Sequence, residues 1–272
     1  DSIVRWSVPI FVMISGALFL NGDHNIKNIY KKNIARIIVS FVFWSAIYTA
    51  VSICVLHYGW KKALEEFFVG HYHMWFLFMI VGLYMIVPLV KTIVSSKRLV
   101  EYFLVLSLLF NYLVPQLIAI ISLKFPFAGS LAKSMTGYMS FHFALGYAGY
   151  FVAGYYLSKI ELSKKVKGII YFLGICGFVV TIIGTSALSL MENKADKMFY
   201  GNLTVNVMLE SIAVFVFIKE VFSNRVVSDK IETILGVMSQ YSFGMYLVHV
   251  LILEEIERLF GFQTLSISPV IS

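Results

Sequence analysis

Gly168–Leu190 reads GIIYFLGICGFVVTIIGTSALSL, twenty-three residues without a charged side chain. At 1.5 Å of helical rise per residue, about twenty such residues cross the roughly 30 Å hydrocarbon core of a bilayer. Backbone N–H and C=O groups find no water there, so the segment must satisfy them internally as an α-helix. Blocks of similar length and apolarity recur at residues 4–20, 35–57, 72–90, 102–123, 138–158, 202–222 and 235–255. Eight spans make an all-α fold, a polytopic bundle of transmembrane helices. The first block is short, and Pro9 fits a kinked or tilted helix there.

Composition leads to the same class. Of 272 residues, 59% are hydrophobic and 14% charged, against roughly a quarter charged in soluble domains. A water-soluble globule is excluded, and 24 Phe with 16 Tyr exclude a disordered chain. The net charge of +7 does not indicate nucleic acid, because the basic residues sit in short connections where membrane topology accounts for them. With no soluble domain, long linker or internal repeat, residues 1–272 read as a single membrane-embedded domain. The chain opens Asp1-Ser2-Ile3 without a signal-peptide pattern and turns apolar again over Leu265–Ser272. The expectation is a domain truncated at both ends, with at least one helix before Asp1 and one after Ser272.

Orientation follows from Lys and Arg. Fourteen fall in the connections on one side and eight on the other. The richer side is expected to face the cytoplasm, which puts Asp1 outside. Cys54 and Cys176 then lie at depths about 16 Å apart at helical rise, too far for a disulfide, and read as packing residues. The outer connection with Lys61, Lys62, Glu65 and Glu66 has the spacing of a solvated helical turn.

An ionisable side chain inside a span costs about 2.5–3.5 kcal/mol on insertion scales, so each one points to a cavity or a partner. Arg5, His73, His142, Glu210 and His249 all count into the outer half of the membrane. Together they could line a polar cavity open to the outside. For Arg5 and His73, snorkelling at the interface is the plainer alternative, and Trp75 beside His73 suits an aromatic belt. For His249 and Glu210 the alternative is an interhelical hydrogen bond. On the inner side, Lys31, Lys32 and Arg36 lead into the second span, with Lys32 and Arg36 on one helical face. Such a face suits phosphate oxygens, but from spacing alone ordinary topology signal with anionic lipid contact is the plainer reading. His71 and His73 flank one residue without a third ligand nearby, so no metal site is expected. Walker-type, dinucleotide-binding, zinc-helix and Gly-x-Ser-x-Gly signatures are all absent.

Four stretches resemble acyltransferase family 3, the integral membrane acyltransferases, and within it the surface-polysaccharide O-acetyltransferase branch. Arg5-Trp6-Ser7-Val8-Pro9-Ile10-Phe11-Val12-Met13-Ile14-Ser15-Gly16 is similar to the family's Val-Pro-x-Phe-x-x-Ile-Ser-Gly helix. Lys31 to Arg36 followed by Phe43-Trp44-Ser45-Ala46-Ile47-Tyr48 is the second. The third is His73-Met74-Trp75-Phe76-Leu77 running on to Tyr84 and Pro88, and the fourth is Tyr241-Ser242-Phe243-Gly244-Met245-Tyr246-Leu247-Val248-His249.

The resemblance implies ten helices, of which about eight are present, in a bacterial inner-membrane enzyme. It implies transfer of an acetyl group from cytoplasmic acetyl-CoA, a donor substrate rather than a bound cofactor. The acceptor would be a hydroxyl of a cell-surface polysaccharide or lipid-linked sugar. The family's catalytic His lies on a helix that would precede Asp1, so the base is not assigned here, with His73 and His249 as candidates. Of the family's Arg-x-x-Arg pair only Arg36 is kept, Asn33 standing at the other position. Arg36, with Lys32 or Lys31, is expected to hold the donor's phosphates. Arg5, Trp75, His142 and Glu210 are expected on the acceptor side. A transporter or flippase, or an inactive membrane sensor of the same fold, are the competing classes.

Overall fold

The computed structural model describes residues 4–22, 25–138, 146–192, 198–223 and 228–260. All regular structure among them is helical. The helices are α1 (Ser7–Asn21), α2 (Ile26–Cys54), α3 (Trp60–Val69), α4 (Trp75–Val94), α5 (Lys97–Lys124), α6 (Pro126–Tyr138), α7 (Ala148–Lys159), α8 (Lys164–Glu192), α9 (Val205–Ser223) and α10 (Asp229–Phe260). Helix occupies a part of every apolar block. Among the described residues, five helical stretches are long and apolar enough to cross a membrane: Ile26–Cys54, Trp60–Val94, Lys97–Lys124, Lys164–Met191 and Asp229–Phe260. The first block forms a helix of 15 residues. Helix also extends beyond the apolar blocks: α2 begins at Ile26, so the basic stretch before Arg36 is already wound, and α3 and α6 fill connections.

The chain divides into two compact units. The first comprises residues 1–24 and 86–224, and the second residues 25–85 and 225–272.

Glycine decides the packing of the first unit. A Cβ on Gly16 of α1 would overlap the Phe151 carbonyl of α7, and one on Gly154 of α7 would overlap the Met13 carbonyl of α1. The two backbones therefore touch, as small residues permit between membrane helices. Val12, Met13, Phe151 and Val152 are fully buried around this crossing. Lys219 of α9 donates to the Leu157 and Ile160 carbonyls, each at 2.8 Å, so a cation closes the C-terminal end of α7.

Asn206 is the polar keystone of the same unit. Its Nδ2 donates to Thr181 Oγ1 of α8 at 2.7 Å and to the Phe199 carbonyl at 2.7 Å, while Oδ1 accepts from Gln116 Nε2 of α5 at 3.2 Å. Gln116 Oε1 in turn accepts from the Val205 amide at 2.6 Å, capping the first turn of α9. Leucine at this position would strip partners from groups that stay buried. Asn206→Leu is expected to lower stability by about 1–3 kcal/mol, read as a lower midpoint of thermal unfolding in detergent.

The second unit holds α2, α3, the first part of α4, and α10. Tyr48 of α2 joins two helices: its hydroxyl donates to the Leu247 carbonyl at 3.0 Å and accepts from the Leu251 amide at 3.1 Å, both on α10. Phe41 of α2 packs edge-on against Phe78 of α4, centroids 4.8 Å apart. The ladder of α2 widens into a π turn at Ile29–Ile34, immediately before Ala35 and Arg36.

Candidate active site

Gly70 ends α3 at φ 79, a left-handed conformation open to glycine. The chain then makes one tight turn, Tyr72–Met74, before α4 starts at Trp75. This short hinge brings His71 and His73 to the mouth of α4 and against α10.

His71 Nδ1 lies 3.3 Å from His73 Nδ1, and His71 Nε2 lies 3.3 Å from Glu254 Oε1. The Tyr48 ring stacks on His71 at 4.6 Å and 20°. Because the Tyr48 hydroxyl is bonded on both sides to α10, the stacking surface is fixed. Tyr246 donates its hydroxyl to the His73 carbonyl, and its ring stands 5.5 Å from the His73 ring. His249 is exposed; its ring stands 5.4 Å from His73, and its Nδ1 lies 2.7 Å from the Tyr246 carbonyl. His73 is 8% exposed, and its Nε2 has no hydrogen-bond partner among the described residues. A buried acceptor or donor left unpaired is expensive, and Ser45, Ser107 and Glu210 carry such atoms as well.

The basic residues lie along the same unit. Arg36 is exposed, its guanidinium carbon 5.8 Å from the Phe243 ring of α10. Lys31 and Lys32 are exposed in the π turn. From Arg36 to Tyr48, α2 rises about 18 Å at 1.5 Å per residue. One unit thus carries a cationic end and an aromatic and histidine end, with α2 running between them.

The remaining sequence candidates are distributed differently. Trp75 is exposed in the second unit. Arg5 and Glu210 belong to the first unit. The Arg5 guanidinium carbon sits 3.1 Å above the Tyr200 ring, a cation–π contact. Glu210 is 3% exposed, and neither carboxylate oxygen has a hydrogen-bond partner among the described residues. His142 lies outside the described residues. Cys54 and Cys176 are both free, the first exposed and the second half-buried. No three His, Cys, Asp or Glu side chains among the described residues are grouped to hold a metal.

Sequence reasoning paired His73 with His249 as candidates, and the two rings are neighbours. It missed Tyr48, Tyr246 and Glu254, and weighed His71 only as a metal ligand. A signal for Glu254 existed: it follows the buried Leu247 and Val250 by seven and four residues, on their helical face.

No curated protein and no solved structure matches the chain. A family model described as an acyltransferase domain matches residues 2–272. With that match spanning nearly the whole sequence, and an all-helical fold whose long apolar helices suit a bilayer, the chain belongs to acyltransferase family 3, the integral membrane acyltransferases.

Proposed function

We propose that the protein moves an acetyl group from acetyl-CoA, taken from the cytoplasm, to a hydroxyl of a cell-surface polysaccharide or lipid-linked sugar. The observation that supports this most is the layout of the second unit: exposed Arg36, Lys32 and Lys31 at one end, and the buried, partnerless His73 Nε2 at the other. Coenzyme A has the complementary layout, with its phosphates held far from the thioester by an extended arm. The chain sits in a bacterial inner membrane with its basic connections in the cytoplasm and Asp1 outside.

His73 and His249 are this chain's candidates to take the acceptor proton, and His73 Nε2 is the buried one. As the acceptor hydroxyl attacks the thioester carbonyl, its O–H bond breaks and an N–H bond forms at Nε2. The carbon–sulfur bond then breaks, and the thiolate of coenzyme A leaves and takes the proton back from Nε2, which restores the free imidazole. Positioning both substrates in line supplies much of the acceleration in such a transfer. His249 and Trp75 contact the acceptor beside His73, the indole as a stacking surface for a sugar ring.

Transfer of label from acetyl-CoA by the full-length enzyme tests the donor site. A charge-assisted hydrogen bond to phosphate contributes about 1.5–3 kcal/mol, so Arg36→Ala is expected to raise the KM for acetyl-CoA about tenfold or more. Arg36→Lys keeps the charge without the bidentate fork and is expected to recover only part of that. Wild-type KM in Arg36→Ala would remove the donor role.

A further inference from the structure

We infer that α3 and α4 are two halves of one membrane helix, broken near the middle of the bilayer, and that the charged face of α3 walls a water-filled vestibule reaching down to the break at Gly70–Met74.

The depth follows from what α3 and the break touch on α2. Ala35–Cys54 is a regular helix of 20 residues, about 30 Å long and so about as long as the hydrocarbon core is thick. At the end remote from Arg36 the chain turns back at once: the Tyr58 amide donates to the Ser52 carbonyl at 3.1 Å. The 10 residues of α3 then pack along α2, with Ala63 buried. At their end the chain has reached the middle of α2. A Cβ on Gly70 would lie 2.7 Å from the Phe41 ring, and the His71 ring stacks on that of Tyr48. Phe41 and Tyr48 bracket the midpoint of Ala35–Cys54. α3 therefore runs antiparallel to half of α2, and its length of about 15 Å matches half a hydrocarbon core. α4 continues towards the other face, with Phe78 against Phe41.

Backbone that leaves the helix at such depth is tolerated only where protein buries it or water reaches it. The exposures point to water. Tyr72, in the break itself, is exposed, and so are Lys61, Lys62 and Glu65 on one side of α3. Lysines can snorkel to an interface, but Glu65 is shorter and sits half-way down α3, where lipid strongly disfavours a carboxylate. Trp60, Leu64 and Phe68, spaced by four, form the adjoining face. They are exposed as well, like Ile53, Val55 and Leu56 at the neighbouring end of α2, and suit lipid. α3 thus has a lipid side and a water side. The spacing that reads as a solvated turn is solvated within the membrane. On the acetyl-transfer reading and its orientation, on which this last step rests, the vestibule opens outward and is the route of a water-soluble, hydroxyl-bearing acceptor to the histidines of the break.

Spin labels on single cysteines test the vestibule without an assay of transfer. The background is the full-length protein in lipid nanodiscs with Cys54 and Cys176, both free, replaced by alanine. Leu64, Glu65, Phe68 and Tyr72 are all exposed, so labels there displace no packed side chain. Labels at Glu65→Cys and Tyr72→Cys are expected to collide with a water-soluble nickel chelate, and those at Leu64→Cys and Phe68→Cys with oxygen dissolved in the lipid. The Phe68 label is expected about 6 Å deeper than the Leu64 label, being four helical residues further down. Equal depths would overturn the descent of α3. Glu65 and Tyr72 labels shielded from the chelate would overturn the vestibule, with lipid or protein covering that face, and would leave the donor site to its own test in Arg36→Ala. Intact cells supply the direction. A membrane-impermeant thiol reagent is expected to modify Glu65→Cys from outside and to raise the KM for the acceptor but not for acetyl-CoA. Modification only in inverted vesicles would overturn the outward opening, and unchanged acceptor kinetics after modification would overturn the acceptor route.

Discussion

His73→Ala is expected to lower acyl transfer by about 10²–10⁴-fold, the range a positioned general base contributes, with little change in KM for acetyl-CoA. Measured by label transfer in the full-length enzyme, the loss should appear in kcat, because the imidazole acts on the acceptor proton and not on the donor's phosphates. The matched control is His249→Ala. That ring is also close by, 5.4 Å from His73, but it is exposed and tied to a backbone carbonyl. Its removal is expected to affect acceptor KM more than kcat. Loss of kcat in His249→Ala with normal turnover in His73→Ala would reverse the two assignments. Equal, wild-type behaviour of both would leave the cluster with a structural role only. Helical content should stay close to wild type in either variant, and detergent melting should stay close for the exposed His249, whereas removing the buried His73 ring leaves a cavity and is expected to lower the midpoint moderately.

Gly154→Val is expected to have the largest effect on folding. The first atom of any side chain there runs into the Met13 carbonyl, and the reciprocal position, Gly16, faces the Phe151 carbonyl. Both obstacles are backbone, so no rotamer change relieves them and α1 must move away from α7. Overpacking typically costs about 1–3 kcal/mol even where side chains can yield. Here the expected loss is at the top of that range or above, a large part of a stability of about 5–15 kcal/mol. Size-exclusion profiles and thermal unfolding in detergent would register it as aggregation or a clearly lower midpoint. Gly82→Ala and Gly236→Ala are the contrasting pair: a Cβ at either meets nothing within 4 Å, and alanine is favoured over glycine in a helix by about 1 kcal/mol. These two are expected to unfold at or above the wild-type midpoint. A Gly154→Val protein as stable as wild type would mean that the helices do not cross through glycine.

What the sequence disclosed, and what it concealed, follow from the range of the interactions. Apolar runs such as Gly168–Leu190 are local, and hydrophobicity alone identifies them as helices. Lys61, Lys62, Glu65 and Glu66 were similarly legible as a polar helical turn, now part of α3. Pro126 is a local helix-start signal, with its missing N–H placed where a helix has no use for one, yet α6 went unread because its stretch is short and weakly apolar. The histidine cluster was legible only in part. His73 and His249 stood out because charge-bearing groups are rare in spans, whereas Glu254 lies near a helix end where carboxylates are ordinary. Its partner His71 is 183 positions away, and nothing periodic connects them. Tyr48 was one of 16 tyrosines; its hydroxyl becomes distinctive only once α10 lies beside it.

The π turn at Ile29–Ile34 makes chain length a functional variable. An i→i+5 ring encloses one residue more than the i→i+4 ring of an α-helix. Removing a single residue there could restore a continuous α ladder without disturbing any apolar block. Each residue of an α-helix turns the chain by about 100°, so the basic group of Lys31 and Lys32 would then look out in a new direction relative to Arg36 and Tyr48. A second π turn, Leu108–Leu113, carries Asn111, which bonds the Gly146 carbonyl at 2.9 Å, and the buried Tyr112. In both helices a one-residue deletion would be nearly silent in hydropathy and would nonetheless rotate polar groups out of phase. Variants of this protein that differ by one residue within 29–34 or 108–113 differ in the aim of their side chains, even where every named side chain is retained.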